Sequence, residues 1–293
     1  MELLELDLTA PQDPLLRERG PETDVDECAA RRSMRAQIAR LATASSVGRI
    51  RAALRRVMEI TYGSYALGMF GVVIFPAWLL VLVAPSREAA ARITTAMLRA
   101  YLKIAGWRVR VEGREHIRES APRMFVSNHT SYADVLVVMA VLGADYHFVA
   151  KGEVRSMPFF RTFLRRLGHF AFNREDSRAR LQQAEEIEQA LRRGESVFVF
   201  PEGTFTAQTG VRAFQLGAFK AAIAAERPVV PVALDGIRRV LRDGAWLPRP
   251  ARITVTICPP VVPQSDAADW HEIVRVRDAA REAIARYAGE PLL

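Results

Sequence analysis

Lysine is almost missing from this 293-residue chain. It stands only at positions 103, 151 and 220, although Lys+Arg total 41 and the formal net charge is +8. Arginine therefore carries the positive charge, and a basic balance of this kind favours anionic partners such as phosphates or acidic lipid surfaces. Cysteine is scarcer still. Cys28 and Cys258 lie far apart and share no ligand spacing with a histidine, which argues against a disulfide framework and a zinc site. Glycine motifs are missing too. No Walker loop or dinucleotide fingerprint occurs, so nucleotide chemistry finds no support. The nearest approach to a G-x-S-x-G nucleophile elbow, GESVF at 194–198, lacks the second glycine and precedes its strand instead of following it.

Charge is absent from one long stretch, ITYGSYALGMFGVVIFPAWLLVLVAPS at 60–86. About 20 apolar residues suffice to cross a bilayer, so this run predicts membrane insertion. Pro76 lies inside it and basic residues flank it on both sides, a pattern that favours a re-entrant hairpin over a single crossing. Upstream, the first 27 residues hold nine acidic and two basic side chains with Pro11, Pro14 and Pro21 among them, and read as a solvated tail. From 31 to 59 the balance inverts to eight arginines against Glu59 alone. Met34, Ile38 and Leu41, then Ile50, Leu54 and Val57, recur there at helical spacing and predict basic amphipathic helices. Downstream, Ile93, Met97, Tyr101 and Ile104 mark the apolar stripe of another helix. The chain divides on this reading into a disordered acidic tail at 1–30, a basic and membrane-inserted helical region at 31–106, and a catalytic domain at 107–293.

After residue 107 short β-type runs alternate with helical segments. WRVRV, RMFVS, YHFVA, HFAFN, SVFVF, PVVPVAL and RITVTI are the strands; 133–142, 158–167, 177–193, 214–225 and 269–287 are the helices. This alternation predicts an α/β fold with a mixed, largely parallel sheet flanked by helices. Pro231, inside PVVPVAL, suggests a sheet edge or a tight approach to another element.

Ligands of such folds bind beyond the carboxyl ends of the strands, and His129 follows the strand MFVS directly. Helical positions five apart diverge by roughly 140°, so His129 and Asp134 cannot share a helix face. The histidine belongs in the turn before the helix, with Thr130 or Ser131 as N-cap and Asp134 reaching back from the first turns. A carboxylate on one ring nitrogen leaves the other as a proton acceptor, which makes a general base. Spacing alone fits a surface histidine beside a helix-start aspartate equally well.

Other loops add to the picture. In PEGTFTAQTG, after SVFVF, Glu202 offers a carboxylate and Gly203 a close backbone approach that can cradle an oxyanion. Arg174 stands at the carboxyl end of HFAFN, where a guanidinium could clamp a phosphate; an ion pair with Glu175 or Asp176 is the plainer alternative. Four blocks now stand in order: NHTSYAD, GHFAFNR, FPEGT and VPVAL. Together with KGE at 151–153 and FQLGAFK at 214–220, they make the stretch from about 100 to 262 resemble the glycerolipid acyltransferases, in particular bacterial 1-acylglycerol-3-phosphate acyltransferases.

The resemblance implies transfer of a fatty acyl group from acyl-CoA or acyl carrier protein to a lysophospholipid hydroxyl, without an acyl-enzyme, a cofactor or a metal. His129 becomes the base and Asp134 its orienting carboxylate. Glu202, Gly203 and Thr204 fall on the glycerol and oxyanion side, Arg174 meets the acceptor phosphate, and Lys151 belongs to the substrate-binding set. Membrane lipids are the implied partners, nucleic acid is not, and the implied place is the cytoplasmic side of the inner membrane. One departure bears on the acceptor. The third block of the family continues with arginine after its threonine, whereas Phe205 stands here. Either Arg212 takes over the phosphate, or the acceptor is another lyso-lipid, such as one built on an amino acid. A non-enzymatic membrane-surface protein would explain the basic and apolar segments but not the four blocks.

Overall fold

The structure, a computed structural model, describes residues 21–117, 121–143, 146–172, 177–204, 206, 208–241, 244–265 and 269–293. Its contacts gather into two compact units, Met1–Met58 and Glu59–Leu293. Helix α1 (Pro21–Val83) begins at Pro21, so residues 21–30, expected in a disordered tail, are helical. In the first unit the expected apolar stripe Ile50, Leu54 and Val57 is bare to solvent.

The second unit is built on a seven-stranded sheet ordered β1-β7-β6-β2-β5-β3-β4. Its strands are β1 (Arg108–Glu112), β2 (Met124–Ser127), β3 (His147–Lys151), β4 (Phe170–Phe172), β5 (Val197–Val199), β6 (Val229–Asp235) and β7 (Arg252–Ile257). From β6 through β4 all pairings are parallel, and only β7 opposes β6. Side chains alternate strictly between two cores: Phe125, Phe198, Val230, Val232 and Leu234 face one side, while Met124, Val126, Val197, Val199 and Val229 face the other. Burial on both faces is why these strands read as unbroken apolar runs. Helices α2 (Arg87–Ile104), α3 (Ala133–Leu142) and α4 (Pro158–Leu167) cover the first face. Helices α5 (Ser177–Arg192), α6 (Gly217–Ala224) and α8 (Trp270–Ala288) cover the second, and the short α7 (Ile237–Val240) follows β6.

Several expectations are corrected. Residues 60–83 form one helix that continues through Pro76, and the chain reverses only at 84–86, so no hairpin lies inside the apolar run. The return limb is α2: Tyr62 donates to the Ala105 carbonyl at 2.6 Å, and Tyr101 donates to that of Ala66 at 3.4 Å. Helix α2 buries Ala91, Thr94, Leu98 and Tyr101, a face rotated from the expected Ile93 stripe, and Ile104 is exposed. Since α2 and Glu59–Val83 belong to the same compact unit as the sheet, 107 is not a domain boundary. Pro231 lies in an interior strand. Between the bridges Val229↔Val261 and Val232↔Ile257, β6 has two residues and the facing segment Cys258–Pro260 has three. That extra residue is a β-bulge, which accommodates a strand residue without an N–H. Helix α6 starts at Gly217 instead of 214, and the Gln215 N–H just before it donates to the Pro201 carbonyl at 2.9 Å.

A pair of histidines lies at the amino ends of β3 and β4. The His147 Nδ1 contacts the Gly168 carbonyl, and the His169 Nδ1 accepts the Phe148 N–H at 3.3 Å. Burial pushes the His169 pKa down to about 3, with His147 and Arg87 adding positive charge nearby, and burial also lowers that of His147. For a base depressed in the folded state, stability is complete above the unfolded pKa and is lost as pH falls towards the folded one. The slope from His169 is roughly 1.4 kcal/mol per pH unit below about pH 6. Urea unfolding at several pH values should show this slope reduced in His169→Asn, which keeps an acceptor near Nδ1. An unchanged slope would refute the assignment.

Candidate active site

Strand β2 exits into α3 on one face of the sheet, towards β3. Its neighbour β5 exits into α6 on the other face, towards β6. Connections that leave in opposite directions open a crevice at the carboxyl ends between them. His129 follows β2 and Glu202 follows β5, so the crevice separates the two residues only by its width.

The turn after β2 is fixed at several points. Asn128, fully buried, donates from Nδ2 to the Leu234 carbonyl and accepts the Leu234 N–H at Oδ1, each at 2.9 Å. Its amide thus extends the β2–β6 ladder by one side chain. Asp134, in the first turn of α3 and fully buried, directs Oδ2 at the His129 Nδ1 (2.8 Å) and at the N–H groups of Thr130 (2.6 Å) and Ser131 (2.9 Å). Its Oδ1 accepts the Thr130 hydroxyl at 3.2 Å. A carboxylate on Nδ1 places the imidazole proton there and leaves Nε2 as the acceptor. The expected reach of Asp134 back over the turn is realised. The expected N-cap is not: Tyr132 occupies that position without a side-chain cap, while the Ser131 hydroxyl accepts the Ala133 N–H at 3.2 Å. The His129 ring stacks on Phe200 with centroids 4.3 Å apart, and its side chain is 16% exposed, enough for one edge to meet a substrate.

Glu202 binds the turn to the opposite loop. Its Oε1 accepts the His129 N–H at 2.9 Å and its Oε2 accepts the Arg212 N–H at 3.2 Å. Burial raises its pKa, and these two N–H groups work in the other direction. Glu202 therefore positions backbone and is 7% exposed, instead of standing open at the glycerol side. The Gly203 N–H donates to the Phe200 carbonyl at 3.1 Å, so it closes the turn and is not aimed at a ligand. Gly203 has φ 79°, and an added Cβ would lie 2.8 Å from the Gln215 amide, which accounts for glycine here.

The remaining candidates are dispersed. Thr204 is exposed, and its carbonyl accepts the Arg212 guanidinium at 3.3 Å. Lys151 ends β3 and pairs with Glu153 at 2.8 Å on the surface. Arg174 and Phe205 lie outside the described residues. A cavity of about 460 Å³ opens on the α5–α6 face beside the loop, lined by Val149, Phe200, Gly203, Gln215 and Arg277. Sequence reasoning assigned no role to Asn128 or Phe200. Asn128 belonged to the first block, and Phe200 was legible only as the last residue of an apolar strand.

A histidine aligned by a buried carboxylate, at the carboxyl ends of an α/β sheet, is chemically able to take up and return a proton. Residues 108–235 match the family model described as Acyltransferase. Among curated relatives, the chain is 29% identical over 140 residues to the chloroplastic 1-acyl-sn-glycerol-3-phosphate acyltransferase LPAT1 of Arabidopsis thaliana, covering 47% of this chain and 39% of the relative. It is 34% identical over 136 residues to a lyso-ornithine lipid O-acyltransferase of Brucella abortus, covering 46% and 49%. The chain thus spans about half the length of these relatives or less. The crystal structure of the 1-acyl-sn-glycerophosphate (LPA) acyltransferase PlsC from Thermotoga maritima shares the fold. It superposes with a TM-score of 0.62 at 24% identity, covering 81% of this chain and 96% of that one.

Proposed function

We propose that this protein transfers an acyl group from a thioester donor, acyl-CoA or acyl carrier protein, to the free hydroxyl of a lysophospholipid, with 1-acylglycerol-3-phosphate as the acceptor. The observation that carries the reading is the Asp134 carboxylate on the His129 Nδ1. The His129 Nε2 takes the acceptor proton as the hydroxyl oxygen attacks the thioester carbonyl. The tetrahedral adduct collapses, the C–S bond breaks, and Nε2 returns the proton to the departing sulfur, so the thiol leaves and the imidazole is regenerated. Atoms and protons balance with no acyl-enzyme and no co-reactant. Arg212, beside Glu202 and Thr204, is the cation offered to the acceptor phosphate, and Arg174 is assigned to the same phosphate from its place in the second block.

The same reading places the protein on a membrane. Gly48–Val83 is long and apolar enough to cross one by length and composition. Its stretch from Tyr62 to Val81, however, is tied to the domain at both ends, by Tyr62 to Ala105 and by Arg166 to the Val81 carbonyl, with Trp78 stacked on Phe159 between them. Ala66, Ala77 and Val81 are buried, while Leu67, Val72, Phe75, Leu79 and Val83 are bare. A helix bound along its length with one apolar face open suits lying in one leaflet. The arginine-rich flanks assign that leaflet to the cytoplasmic side of the inner membrane.

The similarity to a lyso-ornithine lipid acyltransferase, together with Phe205 where the family has arginine, supports a second reading in which the acceptor lacks a phosphate. Purified protein given an acyl thioester and a panel of lyso-lipids, with products resolved by mass spectrometry, decides between them. Diacylated product from 1-acylglycerol-3-phosphate is the expected result. Preference for a phosphate-free lyso-lipid would replace the acceptor, and no product from any acceptor would reject acyl transfer.

A further inference from the structure

The loop between β5 and α6 carries Arg212, and elements outside the crevice grip it from behind. Arg281 of α8 donates to the carbonyls of Val211 (2.7 Å), Arg212 (2.9 Å) and Leu293. The segment after α8 adds itself to the loop as a short strand. The Val211 N–H donates to the Pro291 carbonyl at 2.8 Å, and the Leu293 N–H donates to the Val211 carbonyl at 3.1 Å. Glu290 closes the grip. Its Oε2 accepts the Gly210 N–H at 3.1 Å, and its carboxylate pairs with both Nε and Nη2 of Arg238, at 3.0 and 3.1 Å, on α7. Arg238 in turn donates to the Thr206 carbonyl at 2.7 Å. The Arg238–Glu290 pair is mostly sheltered, with side-chain exposures of 21% and 12%. The Leu293 side chain lies over Gly210, where an added Cβ would fall 2.5 Å from its Cγ.

These contacts run towards the reacting group. The gripped loop presents the Arg212 N–H to Glu202, and the other oxygen of Glu202 holds the His129 N–H. We infer that Arg281, Glu290 and Arg238 are positioning residues for the acyl-transfer site: they form a clasp that fixes Thr206 and the stretch 210–212, and through Glu202 they fix the His129 turn. The inference rests on the proposed function for its kinetic arm only. Arginine suits this role, because one planar guanidinium can meet several carbonyls at once, whereas a lysine ammonium meets them less well. The clasp lies outside the four sequence blocks, so the blocks alone do not complete the site.

The test uses Arg281→Ala, Arg281→Lys and Glu290→Gln, each alone and combined with Glu202→Gln, at a temperature where circular dichroism shows every variant folded. Arg281→Ala should lower kcat on the order of tenfold, as small displacements of a catalytic group do. The KM for the acyl thioester should stay within about twofold, and Arg281→Lys should recover only part of the loss. In the Glu202→Gln background the same change should cost less than about twofold, because the connection is already cut. Hydrogen exchange supplies a readout independent of activity. The amides of His129 and Arg212 should exchange faster in Arg281→Ala, while those of β1 and β7 keep their wild-type rates.

Folded variants with wild-type kcat would overturn the clasp, as would an undiminished loss in the Glu202→Gln background. Exchange unchanged at His129 and Arg212, or raised uniformly over the sheet, would do the same. A wild-type protein without acyl transfer would reject the proposed function, and the exchange arm would still decide on the clasp. Should Arg281→Ala fail to fold, Glu290→Gln removes one charge, leaves Arg281 in place, and carries the same predictions.

Discussion

His129→Ala is expected to lower turnover by about two to four decades while the protein keeps its fold, the range typical of a general base. Removal of the ring leaves Asp134 with the Thr130 and Ser131 N–H groups still bound. Those bonds should hold the turn in place. Asp134→Asn is the sharper variant. Its amide can set a nitrogen in the place of Oδ2, where it meets the Thr130 and Ser131 N–H groups as a further donor, or an uncharged oxygen there with the nitrogen turned to the Thr130 hydroxyl, and in neither case does it restore a carboxylate on Nδ1. Turnover should fall steeply, and some stability should go with it. Thioester consumption with the acceptor present, measured beside a thermal melt, separates the two effects. Near-normal turnover in folded His129→Ala would end the proposed mechanism.

Glu202→Ala is expected to have the next largest effect. It leaves the His129 and Arg212 N–H groups without their acceptor, and a buried donor left so costs about 1–3 kcal/mol. Activity should drop roughly 10- to 100-fold, since the histidine turn then loses its tie across the crevice. Glu202→Gln tests the charge separately. Its oxygen can satisfy one N–H, but its amide nitrogen must face the other as a second donor. The raised pKa of Glu202 gives a sign to the pH dependence. With the folded value above the unfolded one, the contribution of this group is complete below the unfolded pKa and declines as pH rises through the folded value. Glutamine has no such decline, so the stability gap between wild type and Glu202→Gln should narrow from acid to neutral pH. Chemical denaturation across that range measures it, and a gap that widens would contradict the assignment.

What was legible in the sequence follows from where the information lies along the chain. All seven strands could be read as short β-type runs, the central ones because they are buried on both faces and the edge strand β1 from its alternation of Arg108 and Arg110 with Val109 and Val111, and α3 and α4 were found residue for residue between them. The His129–Asp134 pair was legible for the same local reason: partners five residues apart, in a turn whose helix geometry excludes other arrangements. The role of Asn128 was not, because Leu234 is 106 positions away and a single asparagine carries no sign of which backbone it will pair with. Glu202 was singled out in the sequence, but not its partners, which are the backbone N–H groups of His129 and Arg212 and carry no residue-type signal. The interior place of Pro231 depends on a bulge across the strand, set by Cys258–Pro260. The hairpin at 60–86 was read from charge at its flanks. The chain instead reverses after Val83 and uses α2 as its return, a choice made by packing against α3 and α4 that hydropathy does not encode.

The turn that carries His129 has almost no freedom left to lose. The Asn128 amide is bound to β6, the His129 N–H to Glu202, the Thr130 and Ser131 N–H groups to Asp134, and the Ser131 hydroxyl to the Leu241 carbonyl at 3.0 Å. Chain entropy at these residues is therefore surrendered when the protein folds and not when a substrate arrives. An acceptor entering the crevice under the proposed function would meet an imidazole already aimed, and its own ordering would be the larger part of what binding must overcome. Saturation with acceptor should accordingly bring little change to the backbone of residues 128–131, and motion that accompanies turnover belongs to the substrates and to the loops around them.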